Sequence, residues 1–148
     1  MNPSIDKTME ILLVEDNPAD VELTIEAFKA RESKSNISVV TDGQMAINYL
    51  QKNAGFEEAI TPDLVLLDLN LPKLNGREVL NFIKNSADLN QIPVIILTTS
   101  ESHQDIRISY ELHANCYITK PVDFNKFLAI TDSIENFWFK TVKLPSTY

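Results

Sequence analysis

The sequence predicts an α/β fold: a parallel sheet, doubly wound by right-handed crossovers, with helices on both faces. Three observations carry this reading. Short apolar runs alternate with stretches whose apolar residues recur at helical spacing, and the alternation repeats along the whole chain. The run Leu64-Val65-Leu66-Leu67 is continuously apolar between Pro62-Asp63 and Asn70, as a strand buried on both faces inside a parallel sheet requires. Polar side chains able to do chemistry stand where these runs end, and open α/β sheets hold their ligands outside the carboxyl ends of their strands.

The elements follow in order. Met9 to Val14 is the first buried strand and ends in Glu15 and Asp16. Asn17-Pro18-Ala19-Asp20 starts a helix, with Asn17 as N-cap, Pro18 in the first helical position and Asp20 in the first turn. Val21, Ile25 and Phe28 form its buried stripe, and Arg31 to Asn36 is a polar linker. Ile37 to Thr41 is a weaker strand, and Asp42-Gly43 leads into a helix with Ala46, Tyr49 and Leu50 on one face. Asn53 to Thr61 connects to the central strand. Asn70 to Gly76 is a loop with turn chemistry at Asn75-Gly76, and Val79, Phe82 and Ile83 stripe the next helix. Ile92 to Leu97 is the fourth strand, ending in Thr98-Thr99-Ser100. His103 to His113 is helical without a clean stripe, Cys116 to Ile118 is a short fifth strand ending in Lys120-Pro121, and a last helix runs from about Asp123 to Phe139.

Composition narrows the function. The 148 residues suffice for one domain, expected over 1–148 with a core of about 9–139 and a tail of 140–148. A net charge of −8 speaks against a nucleic-acid surface, which needs clustered Lys and Arg. Neither a run of about 18 apolar residues nor a signal-peptide pattern is present, so no membrane association is expected. Cys116 is the sole cysteine, which fits a reducing compartment and a cytoplasmic protein.

The strand ends gather Glu15, Asp16, Asp68, Thr98 and Lys120 at one sheet edge. Three carboxylates brought close repel one another unless a cation neutralises them. Mg²⁺ takes one or two carboxylates, keeps several waters and completes its shell with a substrate phosphate. A lysine beside such a site makes sense where an anion must also be held, and Thr98 would donate to that anion. The set describes a phosphoryl group between Mg²⁺ and an ammonium, with a carboxylate as nucleophile. Singly, each residue has a plainer reading: Asp68 a solvated strand-end aspartate, Glu15 a helix-dipole partner, Lys120 a surface lysine, Tyr117 plain core. Cys116 reads as a small buried residue, and His103 and His113 lack metal-ligand spacing.

In this order, Glu15-Asp16, Asp68 within Leu67-Asp68-Leu69-Asn70-Leu71-Pro72, Asn75-Gly76, Thr98 and Lys120-Pro121 resemble the receiver domain of two-component response regulators, over Glu10 to Phe139. Asn17-Pro18-Ala19-Asp20, Leu112 to Lys120 and Phe137-Trp138-Phe139 through Leu144-Pro145 are similar to stand-alone phytochrome response regulators of the cyanobacterial type. The resemblance implies a five-stranded sheet of order 2-1-3-4-5. It implies that Asp68 accepts a phosphoryl group from a sensor histidine kinase, here a phytochrome. Glu15, Asp16, Asp68 and the main-chain carbonyl of Asn70 would hold Mg²⁺, for which Mn²⁺ or Ca²⁺ would substitute. Thr98 and Lys120 would contact the phosphate, Tyr117 would be the aromatic switch that follows Thr98, and Lys120–Pro121 would be a cis bond. Asn75, where Asp is commoner, Cys116 and the long Asn53 to Thr61 connection depart from the family pattern.

With no output domain expected, the readout would be a change of protein contacts. On a wheel of about 100° per residue, Phe124, Phe127, Leu128, Ile130, Ile134, Phe137, Trp138 and Phe139 cover roughly 200°, about twice what packing on one sheet needs. The excess points to the tail folding back or to a homodimer on the fifth strand and last helix, with Phe124, Phe127, Phe137 and Trp138 as interface. Two other functions compete. A Mg²⁺-dependent phosphatase with an Asp nucleophile would want an acid–base Asp two residues on, where Asn70 stands. A receiver that only docks, without phosphorylation, would have no use for the intact acidic and basic residues.

Overall fold

The structure, a computed structural model, describes residues 8–30, 34–121 and 123–145. Parts of the expected loose lead (1–7), polar linker (31–33) and tail (146–148) lie outside the described residues. The chain forms β1 (Met9–Val14), α1 (Pro18–Lys29), β2 (Ser35–Val40), α2 (Gly43–Gln51), β3 (Leu64–Leu67), α3 (Gly76–Lys84), β4 (Val94–Thr98), α4 (His103–Glu111), β5 (Cys116–Thr119) and α5 (Phe124–Ile134), followed by a π-helical segment, Glu135–Thr141. The sheet is parallel throughout, in the order β2-β1-β3-β4-β5.

Strand alternation divides the core in two. Leu12, Val14, Val65, Leu67, Val94 and Ile96 face α2 and α3, meeting Ala46, Leu50, Val79, Leu80 and Ile83. Ile11, Leu13, Leu64, Leu66 and Ile95 face the other way, against Phe28 of α1 and Ile134 of α5. Each such aliphatic side chain, fully buried, contributes about 1.5–3 kcal/mol. Helix starts are fixed by side-chain caps. Asn17 accepts the amides of Ala19 and Asp20 at 2.9 and 3.1 Å, with Pro18 first in α1. Asp42, Ser102 and Asp123 cap α2, α4 and α5. Asn75 is more than a turn residue, since it accepts the Glu78 amide and caps α3.

Several boundaries differ from expectation for local reasons. β2 begins at Ser35 because the β1 register pairs Met9 with Ser35, and as an edge strand it leaves Ile37 and Val39 half-buried. β4 begins at Val94, because Pro93 has no N–H and offers only its carbonyl, to Val65 at 3.0 Å. The Lys120–Pro121 bond is trans, not cis as the resemblance implied; trans is the form that an X–Pro pair favours by about 0.5–1 kcal/mol.

The last helix also departs from a simple wheel. After Ile134 it widens into the π segment, and Val142 N–H closes it on the Phe137 carbonyl at 2.9 Å. This turns Phe139 onto Phe28, with ring centroids 6.3 Å apart, and packs Trp138 against the α1 side of the sheet. Leu144 is buried, so the core extends past residue 139. Phe127 is 1% exposed and belongs to the interior, which corrects its assignment to an interface; Phe124 and Phe137 remain exposed.

Two glycines sit where the loop after β3 passes close. A Cβ on Gly43 would lie 1.9 Å from the Leu74 carbonyl oxygen, and one on Gly76 would lie 2.3 Å from that of Asp68. Because both obstacles are backbone, Gly43→Ala should destabilise the chain by about 3 kcal/mol or more. Urea unfolding followed by circular dichroism measures this, and an unchanged midpoint would contradict the close approach.

Candidate functional site

The sheet ladder carries the site residues one step beyond the strands. Glu15 N–H bonds the Val40 carbonyl at 3.0 Å, Asp68 N–H bonds Val14 at 3.0 Å, and Lys120 N–H bonds Thr98 at 2.7 Å. These bonds fix three backbone positions on neighbouring strands at one edge. Their side chains then converge because β3 lies between β1 and β4 and β5 lies beyond β4.

Asp68 is buried at the centre. Its Oδ1 accepts the Thr98 hydroxyl at 2.9 Å and the Asn70 amide at 3.0 Å, and its Oδ2 accepts Lys120 Nζ at 2.8 Å. Lys120 also pairs with Glu15 and, at 2.9 Å, with Asp20. Its side chain is only 4% exposed, so its charge stands on these three carboxylates. Glu15 Oε1 further accepts the Asn17 amide at 3.1 Å. Asp16 is exposed, yet carboxylate oxygens of Glu15, Asp16 and Asp68 all lie within 4.8 Å of one another. An oxygen-only donor set this compact fits a hard divalent cation.

The electrostatics follow from burial and pairing. Burial pushes the Glu15 carboxyl up to about 7, against the pull of Lys120 and the Asn17 amide. Burial works the same way on Asp68, but there the Lys120 bond, the Asn70 amide and the Thr98 hydroxyl outweigh it and hold the carboxyl below its usual value. Lys120 loses from burial and gains more from Asp68, Glu15 and Asp20, so it stays protonated. The site is thus an ionised, oriented carboxylate beside a locked ammonium.

The structure brings together Glu15, Asp16, Asp68, Asn70, Thr98 and Lys120. Tyr117 lies next to this group rather than in it: it is half-buried, and its hydroxyl donates to the Ser100 carbonyl at 2.9 Å. Phe124, Phe127, Phe137 and Trp138 lie on the last helical stretch, outside the carboxylate cluster. Cys116 is a free, half-buried thiol whose pKa burial raises. Two features escaped the sequence reading. Asp20, read only as a first-turn residue that marks the helix start, reaches the site; the first turn after a strand lies at the same edge as the strand's end, and that is the signal that would have found it. Asp105 joins α3 to the loop after β4, pairing with Arg77 and accepting the Ser100 hydroxyl at 2.6 Å. A cleft of about 890 Å³ between the ends of α2 and α3 is at the opposite edge of the sheet and holds none of these residues.

Comparison with known proteins agrees with this geometry. The family model described as "Response regulator receiver domain" matches residues 11–132. Response regulator Rcp1 of Synechocystis is 46% identical over 136 residues, 92% of each chain. The Mn²⁺-bound crystal form of Rcp1 superposes with a TM-score of 0.87 at 45% identity, covering 93% of this chain and 99% of that one. The phosphorylated cyanobacterial phytochrome response regulator RcpA gives a TM-score of 0.90 at 45% identity, covering 94% and 99%. A five-stranded sheet of order 2-1-3-4-5, an acidic cluster with a lysine at its carboxyl edge and this match over most of the chain identify it as a member of the response regulator receiver domain family.

Proposed function

We propose that Asp68 is the phosphoacceptor of this receiver and that a sensor histidine kinase, of phytochrome type, is the donor. The observation that carries the proposal is the double hold on Asp68: a threonine hydroxyl on one carboxylate oxygen and a lysine ammonium on the other, delivered by β4 and β5. A carboxylate oxygen would form a bond to phosphorus as the bond from phosphorus to the donor histidine nitrogen breaks. Lys120 and Thr98, which donate to Asp68, would bind the oxygens of the arriving group. Glu15, Asp16 and Asp68, with the Asn70 carbonyl, would hold Mg²⁺, which neutralises phosphoryl charge when bound; Mn²⁺ or Ca²⁺ would substitute. The phytochrome assignment is supported by likeness to RcpA and Rcp1. The free Cys116 thiol and the lack, among the described residues, of a helix long and apolar enough to cross a membrane support a cytoplasmic setting.

We read residues 1–148 as a single receiver unit whose output is a change of protein contacts. Thr98 and Tyr117 would form its switch, because Thr98 touches Asp68 while Tyr117 is bonded two residues further along the same loop, at Ser100. A homodimer through β5 and the last helix would use Phe124 and Phe137, 40% and 50% exposed, with Trp138 at the edge. Mass photometry across micromolar dilution should show a dimer that Phe137→Ser weakens. A strict monomer, with and without beryllofluoride, would remove this interface.

Intact mass after incubation with acetyl phosphate and Mg²⁺ tests the acceptor. A single phosphoryl adduct is expected in the wild type and none in Asp68→Asn. No adduct in a wild type that binds Mg²⁺ would favour a docking module that works without phosphorylation.

The electrostatics add a pH dependence. Because the Glu15 carboxyl titrates near 7, protons compete with the cation below that point. Mg²⁺ affinity by calorimetry should therefore rise from pH 6 towards pH 8 and level off above about 7, and Glu15→Gln should flatten the profile.

A further inference from the structure

We infer that Asp20 is a positioning residue that keeps the Lys120 ammonium within reach of Asp68 when a divalent cation claims the other carboxylates; the inference rests on the phosphoacceptor reading above. An ammonium has three N–H donors, and here they are spent on Glu15, Asp68 and Asp20. These three partners are not equivalent. Glu15 and Asp68 belong, with Asp16, to the compact acidic cluster, whereas Asp20 lies outside that cluster among the described residues.

Cation entry sets a conflict. The oxygens that would bind the ion are the oxygens that hold the ammonium, and the two positive charges repel. Lys120 must give up bonds to Glu15 and share Asp68. A side chain 4% exposed cannot replace them with bulk water, so an ammonium left without a carboxylate would be costly. Asp20 removes that cost. Its side chain is 22% exposed, and its carboxylate already accepts Lys120 Nζ at 2.9 Å.

Asp20 is also held still. Its amide donates to the Asn17 cap at 3.1 Å, and its carbonyl accepts the Thr24 hydroxyl at 2.7 Å, so the first turn of α1 is fixed from both sides. With its backbone fixed on α1, Asp20 retains the ammonium while Glu15 turns the oxygen released by Lys120 to the cation and keeps the other on the Asn17 amide. Lys120 is then one bond from Asp20 and one bond from Asp68, with its third N–H free for a phosphoryl oxygen.

The coupling between Asp20 and Lys120 is what an experiment reads. Mg²⁺ dissociation constants by calorimetry are compared for wild type, Asp20→Asn, Asp20→Glu, Lys120→Met and the Asp20→Asn/Lys120→Met double variant. Asp20→Asn is expected to weaken Mg²⁺ roughly tenfold, the size of one charge-assisted hydrogen bond. Asp20→Glu should recover most of that loss, and in the Lys120→Met background Asp20→Asn should change little. Equal losses in both backgrounds would show that Asp20 acts only as a nearby negative charge and would overturn the inference, as would an unchanged constant in Asp20→Asn. Should Lys120→Met fail to fold, Lys120→Gln takes its place in the cycle. The half-saturating acetyl phosphate concentration should rise in Asp20→Asn as well. A wild type that takes no phosphoryl group overturns the phosphoacceptor reading instead, and the Mg²⁺ cycle still decides the role of Asp20.

Discussion

The buried ammonium of Lys120 is the group on which the rest of the edge depends. Moving a lysine charge out of water costs several kcal/mol, and only well-placed carboxylates offset it. Those carboxylates come from places far apart in the chain, since Glu15 is 105 residues from Lys120 and Asp68 is 52. Only the order β1-β3-β4-β5 brings them together, and only the ladder bonds just past the strand ends aim them at one point. The core, apolar on both faces of the sheet, supplies the free energy that holds these charges in place. Lys120 in turn favours the ionised form of Asp68 against burial, so the residue that is costly to bury is the one that holds its neighbour's charge.

Much of this was legible in the sequence, for reasons that differ by residue. The apolar runs at Leu12 to Val14 and Leu64 to Leu67 could hardly be anything but interior strands, and Asp68 and Lys120 were visible because polar residues ending such runs have one edge to occupy. Asp20 was not legible in the same way, because an acidic residue in a first helical turn already has a sufficient explanation in the helix dipole. Its reach to Lys120 depends on how α1 leaves the edge, which composition does not encode. Phe127 was misplaced by the wheel. The wheel gives the width of the apolar arc but not which part of it meets the core, and Phe127, in the regular turns of α5, is on the buried part. Beyond Ile134 the i→i+5 bonding rotates Trp138 and Phe139 back onto the α1 side and narrows the exposed arc. The Arg77–Asp105 pair joins helices whose contact is set by the whole sheet, and no local spacing announces it.

The loop between β4 and α4 links the surroundings of Asp68 to neighbouring elements. Thr98 bonds Asp68, Ser100 gives its carbonyl to Tyr117 and its hydroxyl to Asp105, and Asp105 holds Arg77 of α3. Through Thr98 and Ser100 of this loop, the surroundings of Asp68 are tied to β5 by Tyr117 and to α4 and α3 by Asp105 and Arg77. The energies decide what kind of device this is. An ion pair with Arg77 41% exposed is worth about 0–1 kcal/mol. The buried Arg77 Nε, which lacks a partner among the described residues, costs about 1–3 kcal/mol in lost hydration. The cost is at least as large as the gain, so the latch adds order without adding stability. The switch proposed above would need a latch of this kind, because its two states must differ by no more than the few kcal/mol that a phosphoryl group's new contacts can supply. A strongly stabilising latch would freeze the loop in one state.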